Sequence, residues 1–68
     1  MQMANFASRS IASAGYADGK LVIEFRGGGA YQYDGVPASI ASQLFFSASK
    51  GRFYQAFIKG KFPCIRIR

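Results

Sequence analysis

The sequence predicts an α+β fold in which a three-stranded antiparallel β-meander is followed by two short helices packed on one face of the sheet, with a candidate short strand at the C-terminus. Apolar and polar residues alternate along the first half of the chain, as is typical of half-buried strands. After Pro37 the apolar spacing changes to that of amphipathic helices. A chain of 68 residues has room for one domain, spanning residues 1–68.

Lys20–Arg26 gives the clearest strand prediction, because its residues alternate between two faces. The apolar face carries Leu21, Ile23 and Phe25. Before this strand, Asp18-Gly19 predicts a two-residue type I′ hairpin, a turn that needs positive φ at both positions. The hairpin leads back to an earlier strand within Arg9–Tyr16, whose weak alternation leaves its register open.

The third predicted strand presents two tyrosines on one face. Gly27–Gly29 predicts a turn into Ala30–Asp34, in which Tyr31 and Tyr33 point the same way. Two such rings can stack on bases, as in sheet-based RNA-binding domains. They can equally form the surface on which the helices pack, and this interpretation is favoured because so small a domain needs its large side chains in the core. Cross-strand register decides between the two, and the sequence does not fix it.

The first helix is predicted to begin at Pro37, since proline suits the first turn, where its missing N–H would have no partner anyway. At helical spacing, one face is apolar and comprises Val36, Ile40, Ala41, Leu44 and Phe45. Phe46 falls on the polar side of this helix. We expect it either to turn inward at the helix end or to be an exposed aromatic residue.

The second helix is predicted to follow a cap at Ser47 or Ser49 and to end at Gly60. Its polar face forms a basic stripe of Arg52, Gln55 and Lys59. The tail, Cys64–Arg68, alternates isoleucine with arginine. This alternation predicts a short fourth strand, added at an edge of the sheet or paired with a partner chain.

The net charge belongs entirely to the second half of the chain. Residues 1–34 carry three basic and three acidic residues, which cancel, and residues 35–68 carry six basic and no acidic residues, which gives the formal net charge of +6. Such asymmetry indicates a polyanionic partner, either nucleic acid or an acidic protein surface. The alternative is a solvated basic face that only keeps the protein soluble. The cations are Lys50, Arg52, Lys59, Lys61, Arg66 and Arg68.

The side-chain inventory argues against an enzyme and against a metal or other cofactor. The chain has no His and three carboxylates, so it lacks the groups that usually perform acid–base catalysis or hold a metal ion. Cys64 is the single cysteine, which excludes an intrachain disulfide. Nearby cations could make its thiol reactive. A small half-buried residue in a terminal strand is the favoured interpretation.

No membrane association is expected, because the sequence has no apolar run of membrane-spanning length. The N-terminal residues 1–14 lack the basic start and the apolar stretch of a signal peptide. We therefore expect a cytoplasmic protein.

Short motifs along nearly the whole chain match one family. They include Gly15-Tyr16, the strand Leu21–Phe25, and Gly28–Tyr33 with its Tyr-x-Tyr. The other matching segments are Val36-Pro37, Ser49–Tyr54, Ile58-Lys59 and Lys61–Pro63. The chain thus resembles the KTSC domain, a short module found at the C-terminus of some lysyl-tRNA synthetases and as a stand-alone small protein in bacteria and phages. It departs from that family at Gln55, where Asn is often found, and at Cys64, where an aromatic residue is common.

The resemblance implies RNA binding, which its association with a synthetase suggests, and this is the first of two hypotheses. In it the six cations contact phosphates, and Tyr31 and Tyr33 are candidate stacking groups. The second hypothesis is a protein-interaction module, either a homo-oligomer or a phage or bacterial binder of a host protein. Its motivation is the surplus of apolar residues expected near the surface, such as Phe46, Phe62 and Ile65.

Overall fold

The computed structural model describes residues 1–68, which form five β-strands and two α-helices. The strands make one antiparallel sheet in which they lie in chain order. The two helices lie between the fourth and fifth strands in the chain. The elements are β1 (Ala4–Asn5), β2 (Ile11–Ala17), β3 (Lys20–Phe25), β4 (Ala30–Asp34), α1 (Ala38–Phe46), α2 (Lys50–Phe57) and β5 (Cys64–Arg66).

The α+β prediction is confirmed, and the predicted meander corresponds to β2, β3 and β4. The sheet is larger than expected, with five strands rather than three and a candidate fourth. The C-terminal strand β5 lies at an edge of the sheet, where it pairs with β4 of the same chain. The sequence did not indicate β1, because a strand of two residues has no periodicity to recognise.

The first hairpin, between β2 and β3, has the predicted turn but an irregular strand pairing. Asp18 and Gly19 have φ values of 51° and 77°, as the type I′ turn requires. The pairing of β2 with β3 is irregular between Ile11 and Ser13, where the register shifts. A shift of this kind interrupts the alternation of side chains, which is why the first strand looked weakly patterned.

The hydrophobic core lies between the helices and one face of the sheet. The strands contribute Leu21 and Ile23, and Tyr33 lies opposite Leu21 in the cross-strand register. The predicted apolar face of α1 is buried at Ala41 and Leu44. No residue within α2 is buried, and the residue that anchors this helix is Ile58, immediately after its end. The complete core is Ile11, Ala14, Leu21, Ile23, Tyr33, Val36, Ala41, Leu44 and Ile58.

Phe46 is an exposed aromatic, with 86% of its surface accessible, and does not turn inward at the helix end. Ser49 precedes α2, as one of the two predicted caps, although its side chain makes no capping hydrogen bond. The helices have nine and eight residues, and neither could cross a bilayer.

The face of the sheet opposite the helices is called here the outer face. On it, the carboxylate of Glu24 contacts two other side chains. The Ser13 hydroxyl donates a hydrogen bond of 2.8 Å to the Glu24 carboxylate. Arg68 forms an ion pair with the other oxygen of the same carboxylate. Nearby, the N-terminal residues cover Gly15, where an added Cβ would lie 2.7 Å from the Gln2 carbonyl oxygen. Arg68 therefore belongs to the outer face and has an intramolecular partner.

Candidate functional site

Tyr33 belongs to the core. Its Cα pairs with that of Leu21 in β3, its surface is 3% exposed, and its hydroxyl lies 2.7 Å from the hydroxyl of Tyr54 in α2. The core interpretation of the sequence therefore applies to this tyrosine, and its ring is not open to stack on a base.

Tyr31 lies on the same face of the sheet but is half-buried. Its ring packs edge-on against Phe25, with centroids 5.7 Å apart and an interplanar angle of 72°. The Arg66 guanidinium lies 5.9 Å from the centroid of the Tyr31 ring, within cation–π range. Of the two candidate stacking residues, Tyr31 is therefore the one that a ligand can reach.

Tyr31 borders an open cleft of about 530 Å³, referred to below as the aromatic cleft. Strands β3 and β4 and the turn between them supply part of its lining, and α2, the segment before β5 and the first residue of β5 supply the rest. Its lining residues are Phe25, Gly28, Tyr31, Tyr33, Tyr54, Lys59, Gly60, Phe62 and Cys64. The sequence singled out only some of these, because the cleft depends on contacts between residues far apart in the chain.

The aromatic rings of the cleft fix one another at near-perpendicular angles. Tyr54 packs against Phe25 at 5.1 Å and 70°, and against Tyr33 at 5.9 Å and 74°. Edge-to-face pairs of this kind are favourable because the positive ring edge meets the negative ring face. The rings that form the walls of the cleft therefore stabilise one another by packing.

The hydroxyls of Tyr33 and Tyr54 place a neutral polar pair in this aromatic lining. Burial, and next the hydrogen bond with Tyr54, raises the pKa of the Tyr33 phenol far above its ordinary value. Tyr33 therefore remains protonated at physiological pH. Two hydroxyls that share one hydrogen bond retain a second O–H donor and free lone pairs.

We expect Tyr33 to ionise only when the domain unfolds. Its pKa in the folded state lies above the ordinary value of 10.0, so the folded state holds this proton more tightly than the unfolded chain. The resulting stability is complete below about pH 10 and is lost as the pH rises further. In an alkaline titration, the tyrosinate absorbance of Tyr33 should appear only as the helical circular dichroism signal is lost.

The control for this titration is Tyr33→Phe, which cannot ionise at that position. The variant should lack the tyrosinate signal that accompanies unfolding, and its stability should fall less steeply with pH above about 10. Full ionisation of all four tyrosines while the helices remain intact would contradict the burial of Tyr33.

A second concavity, the basic groove, lies at the other end of α2 and has an open volume of about 900 Å³. It is lined by the β1–β2 loop on one side and by the start of α2 on the other. Arg9 and Arg52 are its exposed cations. Lys50 also lines it, but its ammonium donates to the Ser47 carbonyl at 2.8 Å and lies 4.7 Å from the centre of the Phe6 ring. Arg9 was not among the predicted site residues, because it lies in the first half of the chain, where the basic and acidic charges cancel.

The predicted cations are brought together around α2, with one exception. Lys50 and Arg52 line the basic groove, Lys59 lines the aromatic cleft, and Arg66 lies beside Tyr31. Lys61 is exposed in the segment between α2 and β5. The exception is Arg68, which is paired with Glu24 on the outer face and does not join the set. The basic surface is hereafter the group Arg9, Lys50, Arg52, Lys59, Lys61 and Arg66.

None of the three carboxylates lies on this surface. Asp18 is in the β2–β3 turn, Asp34 lies opposite Lys20 near that turn, and Glu24 is on the outer face. Neither the basic groove nor the aromatic cleft has an acidic lining residue. No side-chain carboxylate therefore neutralises the positive charge of this surface.

Cys64 occupies the predicted terminal strand but is exposed rather than half-buried. It belongs to β5, which is an edge strand with a neighbour on one side only, and the other two residues of the strand are exposed as well. Its thiol lies on the lining of the aromatic cleft.

The fold and its surface define a small basic α+β domain with an aromatic cleft and a basic groove. The chain belongs to the KTSC domain family, whose model matches residues 7–62. A crystal structure of a KTSC domain protein from Yersinia pestis superposes with a TM-score of 0.92 at 43% sequence identity, covering 98% of this chain and 97% of that one. The resemblance noted in the sequence is thereby confirmed.

Two curated proteins are similar over a shorter stretch. The lysine–tRNA ligase of Nostoc punctiforme is 48% identical over 42 residues, and that of Trichormus variabilis is 43% identical over 42 residues. Each match covers 62% of this chain and 8% of the ligase, so the chain spans a small part of these relatives.

Proposed function

We propose that this domain binds single-stranded RNA through the basic surface around α2. The observation that carries the proposal is that four cations line two concavities from which every carboxylate is absent, while Arg66 lies over a ring of one of them and Lys61 is exposed between two of its lining residues. Uncompensated positive charge of this kind attracts a polyanion and, in nucleic-acid-binding proteins, contacts phosphates. Such a role places the domain in the cytoplasm, where RNA is abundant.

Two further features favour a single RNA strand as the polyanion. Exposed cations together with an aromatic cleft are typical of proteins that bind unpaired nucleotides, whose bases are free to stack. The segment shared with two proteins named lysine–tRNA ligase is a second support, because that name states an activity on tRNA.

The proposal predicts a strong dependence of affinity on salt. Each phosphate neutralised on a single strand contributes about −0.7 to the slope of log K against log salt. If about four of the cations contact phosphates, the slope is about −3, which corresponds to about a fiftyfold loss of affinity between about 50 and 200 mM salt.

Fluorescence anisotropy with labelled single-stranded RNA, a tRNA and a duplex DNA tests the proposal. We expect the single-stranded RNA or the tRNA to bind more tightly than the duplex and to remain bound at physiological salt, with the slope given above. Equal, weak binding to all three that vanishes at physiological salt would show that the charge is generic.

A protein-binding role is the second candidate, favoured by the apolar side chains left at the surface. Phe46 is 86% exposed on α1, and Ile65 is 58% exposed on the edge strand β5. Exposed edge strands and exposed apolar residues commonly form contacts between protein chains. Sedimentation velocity over a wide concentration range addresses its homo-oligomer form, which a monomer at every concentration would rule out.

A further inference from the structure

The aromatic cleft has the size and lining of a ligand site. Its volume of about 530 Å³ lies within the range of about 300–1,000 Å³ that is usual for such sites. Five of its nine lining residues are aromatic, and they come from two strands, a helix and the segment before β5. These rings are Phe25, Tyr31, Tyr33, Tyr54 and Phe62. A planar, apolar ring is the type of group that such walls accommodate.

The polar groups of the cleft require a ligand that also forms hydrogen bonds. The hydroxyls of Tyr33 and Tyr54, 2.7 Å apart, offer one spare O–H donor and several lone pairs in otherwise aromatic walls. A lipid chain would offer no partner to the spare O–H donor, which carries a desolvation cost. A heterocycle with ring nitrogens and exocyclic oxygen or amino groups would satisfy them.

The charges at the cleft require an anion. Lys59 lines the cleft, and the Arg66 guanidinium lies 5.9 Å from the ring centre of Tyr31. No carboxylate is present, so a cationic ligand of the kind held in aromatic cages would meet two positive charges and no negative one. The combination of a flat heterocycle with an adjoining anion is that of a nucleotide.

We propose that the aromatic cleft binds one unstacked nucleobase, whose adjoining phosphate contacts Lys59 and Arg66. This inference rests on the proposed RNA-binding function and assigns the base-binding part of the site. The same chemistry is offered by a nucleotide within an RNA strand and by a free mononucleotide, so the experiment includes both.

The first arm uses two conservative variants that remove an aromatic ring while keeping apolar bulk, Tyr31→Leu and Phe62→Leu. Each should weaken binding of a single-stranded oligonucleotide about tenfold, in keeping with the cost of losing one stacked base. The slope of affinity against salt should stay unchanged, because no phosphate contact is lost. Phe46→Leu, an exposed aromatic on α1, is the matched control and should bind like the original chain.

The second arm titrates isotopically labelled protein with uridine monophosphate, adenosine monophosphate and ribose 5-phosphate, followed by NMR. We expect the two mononucleotides, but not the sugar phosphate, to shift the resonances of Tyr31, Tyr54 and Phe62. If a free mononucleotide binds as tightly as the oligonucleotide, the natural ligand of the cleft is a free nucleotide and not a nucleotide within an RNA strand.

The outcomes separate this inference from the proposed function. If RNA binds and both leucine variants bind it equally well, the cleft is not a base site and the basic surface alone accounts for binding. If RNA does not bind at all, the proposed function fails. The NMR titration then shows by itself whether the aromatic cleft binds a nucleotide. Equal shifts from ribose 5-phosphate, or none from any compound, would overturn the inference.

Discussion

Replacing Leu44 by alanine should lower the free energy of unfolding by about 3 kcal/mol. Leu44 has no accessible surface and lies on the face of α1 that packs against the sheet. Its truncation removes apolar burial and leaves a cavity that the surrounding side chains fill only in part. Small domains have about 5–15 kcal/mol of stability in total, so this loss is a large fraction of it.

The matched control is Phe46→Ala, two residues further along the same helix. Because 86% of Phe46 is exposed, its truncation should change stability by no more than about 0.5 kcal/mol. Urea unfolding followed by circular dichroism measures both variants. A larger loss for Phe46→Ala than for Leu44→Ala would mean that α1 presents its other face to the protein interior, and would contradict the fold.

The double variant Arg52→Glu/Lys59→Glu should weaken binding of single-stranded RNA about a hundredfold and make the salt slope shallower by about 1.4. Arg52 lines the basic groove and Lys59 lines the aromatic cleft. Both are exposed, and the single ion pair of the chain involves neither, so the fold should remain intact. The reversed charges both remove phosphate contacts and repel the strand.

The control is a comparison of Lys59→Glu with Lys20→Glu, which change the net charge by the same amount. Lys20 is exposed and lies beside the β2–β3 turn, away from the basic surface. We expect Lys59→Glu to weaken RNA binding clearly and Lys20→Glu to weaken it little. Equal losses would show that only the total charge matters, and unchanged affinity in the double variant would rule out the basic surface as the site.

The parts of the fold that depend on local interactions could be predicted from the sequence. The Asp18-Gly19 turn fixes the β2–β3 hairpin within a few residues, and the apolar spacing around Leu44 fixes the orientation of α1. Features that depend on pairing between strands could not be predicted. The irregularity after Ile11 and the position of Tyr33 opposite Leu21 follow from register, which side-chain alternation alone does not determine.

In the candidate site, too, local features could be predicted from the sequence and features that depend on tertiary contacts could not. Helical periodicity predicts Arg52 and Lys59 on one stripe of the second helix, and both residues are exposed. The helix ends at Phe57, however, so Lys59 lies in the turn beyond it, where it lines a different concavity from Arg52. The contribution of Arg9 to the basic groove and the pairing of Arg68 with Glu24, 44 residues apart in sequence, arise from tertiary contacts. The aromatic cleft has the same origin, since it unites residues of β3, α2 and the segment after it. No local pattern indicates it.

The central claim is that RNA lies on the basic surface and not elsewhere on the domain, and NMR mapping tests it most directly. A titration of the labelled chain with a short single-stranded RNA should shift resonances along α2, in the β1–β2 loop and around Phe62. The outer-face residues Val22, Gln32 and Ile65, which are cross-strand neighbours, should stay unchanged. Shifts confined to those outer-face residues, or no shifts at physiological salt, would contradict the account.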